Sequence, residues 1–145
     1  LGEKTLEDIY SQIEEITIKD NVPSDVISQF NIAKNLAVYS WHVYSFNNIA
    51  ELKAISTLEF ALRLRLDNKK LGLFKLLDKA IDMGIIVDKG RDDQEYTEKE
   101  IKTISKRLPK YLSLIRNNMA HGSNMLTPPS TTILKTCADC INQLF

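Results

Sequence analysis

Apolar residues in this chain recur at steps of three and four, the spacing that lines one face of an α-helix. Leu6, Ile9, Ile13 and Ile16 follow it first. Thr5 can cap that helix, with Glu7 and Asp8 in a first turn where the helix dipole favours anions. Pro23 interrupts the pattern, and Ser24 or Asp25 can start a second helix. Its expected buried stripe is Val26, Phe30, Ala33, Ala37, Ser40 and Tyr44, with a short break or kink at Asn47-Asn48. A third helix turns Leu58, Ala61, Leu62 and Leu66 inward, and a shorter one is expected from about Leu73 to Met83. Gly84 to Tyr96 reads as a loop with room for one extended stretch at Ile85-Ile86-Val87. Thr97 and Glu100 have the spacing of a capping box. They open a long helix running toward His121 with Pro109 inside it, where the missing donor and the ring predict a kink or short break. Gly122 is placed to end that helix in a left-handed conformation. Beyond Pro128-Pro129 a last helix carries Ile133, Leu134, Cys137, Ile141 and Leu144.

Gly72, Gly84, Gly90 and Gly122 all fall between these helices. None sits where it would cost about 1 kcal/mol against alanine. The pattern therefore predicts an all-α, up-and-down helical bundle of five or six helices. With 145 residues, 43% of them hydrophobic, residues 1–145 are read as a single domain with a real core. The chain begins Leu1-Gly2 and can be a piece of a longer protein. No apolar run is long enough to span a bilayer and no signal peptide is visible, so no membrane partner is expected and the cytoplasm is the default location. Two cysteines do not make a disulfide framework. Cys137-x-x-Cys140 suggests metal on spacing alone, but there is no second pair and only two histidines exist. They are read as small packing residues, and no metal or other cofactor is expected.

The formal net charge is zero, so a whole-surface field that attracts nucleic acid is absent. Local charge differs. From Arg63 to Lys79 there are six basic residues against two acidic, and from Lys99 to Arg116 six against one. Within the second stretch Lys106, Arg107 and Lys110 are candidate contacts for an RNA backbone, the alternative being a solvated helical face. Trp41, His42 and Tyr44 can stack a base, although such aromatics within a helix more often belong to the core.

The stretch from Leu112 to Gly122 puts an arginine, two amides and a histidine at a helix end beside a glycine. "RNNMAHG" resembles the motif of HEPN domains, where an arginine is followed by a polar residue and, four to six positions after the arginine, by a histidine. Arg116, Asn117 and His121 match it position by position, and "AISTLEFALRLRL", from Ala54 to Leu66, resembles an earlier helix of such domains. The resemblance implies a HEPN-like bundle and, for many members, a metal-independent ribonuclease serving as a toxin or in antiviral defence. Other members are non-catalytic modules that bind nucleotide, RNA or a partner protein. The partners implied are RNA, a second copy in a homodimer with the motif in the cleft between protomers, and an antitoxin or neighbouring domain.

The residue types fit the chemistry. RNA cleavage by 2′-hydroxyl attack gives a 2′,3′-cyclic phosphate. It needs a base, an acid for the leaving oxygen, and a cation on the crowded phosphate. His121 is the motif residue that exchanges protons near neutral pH, and a helix C-terminus favours its charged form. Arg116 can hold phosphate oxygens through its planar fork, and Asn117 can bond sugar, phosphate or His121. On a regular helix Asn117 and His121 lie within ~40° of each other, but Arg116 and His121 are ~140° apart. Either the helix loosens before Gly122 or two chains share the site, which also supplies separate histidines as acid and base. Glu59, on the largely apolar third helix, is the candidate carboxylate for orienting Arg116 or His121, the alternative being an exposed or salt-bridged glutamate. Without the resemblance, Arg116 reads first as a simple ion-pair partner and His121 as a helix-end cap.

Overall fold

A computed structural model describes residues 5–90, 93–120 and 130–145. Among these the chain is all-α, a helical bundle of seven segments: α1 (Leu6–Glu14), α2 (Ser24–Tyr39), α3 (Phe46–Leu66), α4 (Leu73–Asp82), α5 (Glu98–Ser105), α6 (Leu108–Ala120) and α7 (Ser130–Leu144). The count exceeds the expected five or six because the long helix toward His121 is two segments. The break falls at Lys106-Arg107, just ahead of Pro109, which lies in the first turn of α6. There its missing N–H leaves no helical bond unmade. Gly122 and Pro128-Pro129 lie outside the described residues.

The caps act locally as the spacing requires. Thr5 Oγ1 accepts from the Asp8 amide at 3.2 Å while Asp8 Oδ2 accepts from the Thr5 amide at 3.0 Å. Thr97 Oγ1 accepts from the Glu100 amide at 3.2 Å, and the Glu100 carboxylate takes the threonine hydroxyl proton at 3.0 Å instead of reaching the backbone. Past the end of α4, Gly84 has φ +74 and donates to Ile81 O, while Ile85 donates to Ala80 O. This pair of bonds closes a helix on a left-handed residue, a position that suits glycine.

Helix α3 is the centre of the bundle. It packs against α2, α4, α6 and α7. Ala50, Ala54 and Ala61 on α3, with Ala33 and Ala37 on α2, are buried, and small side chains of this kind allow helix axes to approach closely. Larger side chains fill the remaining space: Phe30, Ile55, Leu58, Leu62, Leu76, Leu77, Leu112, Ile133 and Leu134 are fully buried. Ile133, Leu134, Cys137, Ile141 and Leu144 form the expected inner face of α7.

The second helix is shorter than its apolar pattern suggests. It ends at Tyr39, and turn bonds such as His42 N to Tyr39 O carry the chain to Phe46, where α3 begins. The break therefore precedes Asn47-Asn48, both of which are helical. Val26, Phe30, Ala33 and Ala37 are buried as expected, but Ser40 is half-buried and Tyr44 is 77% exposed. Trp41 is also exposed, so these aromatics lie on an exposed turn and not in the core. The loop after α4 holds no strand among the described residues, and Ile86 is the residue it buries.

Candidate functional site

The site is assembled where the end of α3, the start of α4 and the C-terminal half of α6 meet. Helix α3 places Glu59 on its inner side, with a side chain only 8% exposed. A carboxylate this buried requires charged or hydrogen-bonding partners. Its two oxygens are divided between two arginines. Arg63, one helical turn along on the same side of α3, donates from Nη2 to Glu59 Oε1 at 2.6 Å. Arg116 of α6 brings Nη2 to 3.5 Å from Glu59 Oε2. Both guanidinium groups remain partly exposed, so a buried anion holds two cations at the surface.

The other wall is built by a tight connection between α3 and α4. Asp67 adopts a left-handed conformation (φ 48) and the Asn68 amide bonds Arg63 O, which closes α3. The Asn68 side chain then accepts from the amides of Lys70 and Leu71 at 2.9 and 3.0 Å, an Asx turn that delivers the chain to Gly72. Gly72 begins α4 without a side-chain cap. An open cleft of about 340 Å³ results, lined by Lys70, Gly72, Phe74, Lys75, Arg116 and Asn117 among others. Ser113, one turn before Asn117, also lines it, and its buried Oγ has no hydrogen-bond partner among the described residues.

Of the residues singled out in the sequence, Arg116 and Asn117 share this cleft and Glu59 joins them through Arg116. His121 lies outside the described residues. Lys106, Arg107 and Lys110 are not gathered with them. Lys106 Nζ lies 2.7 and 2.5 Å from carboxylate oxygens of Asp78 and Asp82, and the hydrogen bonds it donates to them push its pKa up. Arg107 lines a separate hollow with Tyr96 and Lys99, and Lys110 is exposed on α6. Arg63 carries weight that a charge count did not give it. Its spacing of four residues from Glu59 is the signal that could have found it. Lys70, Phe74 and Lys75 carry no such local signal, because the Asx turn brings them beside α6.

Cys137 and Cys140 are both buried on α7. Burial pushes the Cys137 thiol well above its usual value and the Cys140 thiol up to about 12, which disfavours the thiolate that nucleophilic attack needs near neutral pH. Among the described residues, no three His, Cys, Asp or Glu side chains are grouped to hold a metal ion. No helix among them is long and apolar enough to cross a membrane. Comparison of the chain with family models, with curated proteins and with solved structures gives no match.

Proposed function

We propose that this chain is a HEPN-type endoribonuclease that cleaves RNA by 2′-hydroxyl attack without a metal ion. The observation that carries the reading is the ion pair of Arg116 with the buried Glu59, beside Asn117 in an open cleft, with the motif histidine four residues after Asn117 in the sequence. A surface arginine is a rotamer-rich side chain that costs entropy to order. The Glu59 charge offsets part of that cost by drawing one terminal nitrogen of Arg116, Nη2, to 3.5 Å, and the other donors of the planar fork can still meet phosphate oxygens.

In the proposed reaction the 2′-oxygen attacks the adjacent phosphorus and its proton passes to a base. The bond from phosphorus to the 5′-oxygen breaks, and that oxygen receives a proton from an acid. The products are a 2′,3′-cyclic phosphate and a 5′-hydroxyl. Arg116 neutralises the extra negative charge on the phosphorane oxygens, and Asn117 orients the sugar or phosphate. His121 of one copy acts as acid and His121 of a second copy as base, which makes the active unit a twofold homodimer. A role as a toxin or defence effector, held in check by an antitoxin or a neighbouring domain, belongs to the same reading.

The attacking group gives the test. In an oligonucleotide with one deoxyribose placed at a mapped cleavage position, the expected result is loss of cleavage at that position and retention at its neighbours. Cleavage that persists at the deoxyribose contradicts the mechanism, since no 2′-oxygen is present there to attack.

A further inference from the structure

The cleft beside Arg116 contains more than the motif requires. Phe74, in the first turn of α4, is 48% exposed, although its neighbours Leu73, Leu76 and Leu77 are buried. The amphipathic pattern of α4 thus leaves one ring outside the core. Lys70 and Lys75 flank it within the same cleft, and neither has an ion-pair partner among the described residues. Lys106, on another wall of the bundle, is by contrast fully engaged by two aspartates. An exposed aromatic face between unpaired ammonium groups, adjoining an arginine and an amide, matches a single-stranded nucleic acid: stacking takes the base and the cations take the phosphates on either side.

We propose that Phe74 stacks a base of single-stranded RNA, and that Lys70 and Lys75 hold the phosphates next to the one bound at Arg116. This rests on the ribonuclease reading for its choice of ligand and deepens it: the substrate is single-stranded, and the nucleotide beside the scissile bond is unstacked from its neighbours. The subsite tolerates any base, because every base offers a flat face. A duplex is a poor ligand, since its bases already stack on one another and cannot reach the ring.

Gly72 offers a variant that separates binding from folding. A Cβ built there meets nothing within 4 Å and its φ is ordinary, at −81. Gly72→Asp therefore supplies α4 with the side-chain cap it lacks while setting a negative charge in the cleft. It is expected to melt no lower than the parent protein and yet to bind RNA more weakly.

The experiment measures fluorescence anisotropy of a labelled single-stranded 2′-O-methyl oligouridylate, which 2′-hydroxyl attack cannot cleave, over a range of salt. Phe74→Leu is expected to weaken binding roughly tenfold and Phe74→Trp to restore it. Lys70→Gln with Lys75→Gln is expected to lower the slope of log affinity against log salt by about 0.7 for each lysine. Cleavage of the unmodified oligonucleotide is followed separately. Binding and salt slopes unchanged in Phe74→Leu, the lysine pair and Gly72→Asp would overturn the subsite, and the ribonuclease reading would stand if the parent protein still cleaves. Losses in these variants without cleavage by the parent would sustain the subsite and remove the nuclease. A parent protein that binds no RNA overturns both.

Discussion

Replacing His121 by alanine is expected to lower RNA cleavage by roughly 10²–10⁴-fold, the range that a positioned proton-transfer group contributes. The bundle is expected to stay folded, because buried side chains of α2, α3, α4, α6 and α7 build its core. Circular dichroism and melting of the variant check the fold, and single-turnover cleavage of a short unstructured RNA checks the rate. A folded variant that cleaves at the parental rate removes His121 from the chemistry. The same variant addresses the dimer. When parental chains are mixed with an excess of His121→Ala chains, nearly every parental chain sits in a heterodimer that carries one copy of His121 and so lacks either the acid or the base. Loss of the parental chains' activity on mixing is the expected outcome. Parental activity that is independent of concentration and belongs to a monomer by sedimentation contradicts the shared site.

Glu59→Gln is expected to produce the next largest loss. The amide keeps the size of the carboxylate and one acceptor, but it removes the charge to which Arg63 and Arg116 are bound. Arg116 is then free to leave the position in which its donors meet the phosphate. Misplacement of about 1 Å at a reacting centre can cost roughly 10²-fold. The loss is expected in the rate at saturating RNA and not in affinity, because Lys70 and Lys75 lie outside the ion-pair network and still attract the backbone. Parallel anisotropy and single-turnover measurements separate the two. Parental rates in Glu59→Gln would show that this carboxylate only compensates charge in the fold.

The helices were legible because their determinants are local. Thr5 and Thr97 mark helix starts through bonds that span three residues, and the apolar stripes of α2, α4 and α7 repeat with the helical period. Reading was weakest where no local residue dictates the outcome. Nothing in the run from Tyr39 to Ser45 stops a helix as proline or glycine does, so the pattern carried α2 too far and buried Tyr44, which is exposed. The resemblance of RNNMAHG to the HEPN motif pointed to Arg116 and Asn117, and the place of Glu59 on a largely apolar helix made it a candidate partner for them. The partners of Lys106, a candidate RNA contact, were not legible for a tertiary reason. Asp78 and Asp82, more than twenty residues away in sequence, reach it only after α4 and α6 have packed. The cluster of Lys70, Phe74 and Lys75 beside Arg116 is likewise a product of the Asp67-Asn68 turn and not of any spacing within one helix.

The most direct test of the central claim is to incubate the purified protein with an unstructured single-stranded RNA in excess EDTA, beside the His121→Ala variant, and to identify the ends of the fragments by mass. The account predicts cleavage by the parent protein alone, with fragments ending in a 2′,3′-cyclic phosphate and beginning with a 5′-hydroxyl. No cleavage by the parent, equal cleavage by both proteins, or activity that EDTA abolishes and Mg²⁺ or Zn²⁺ restores would contradict it.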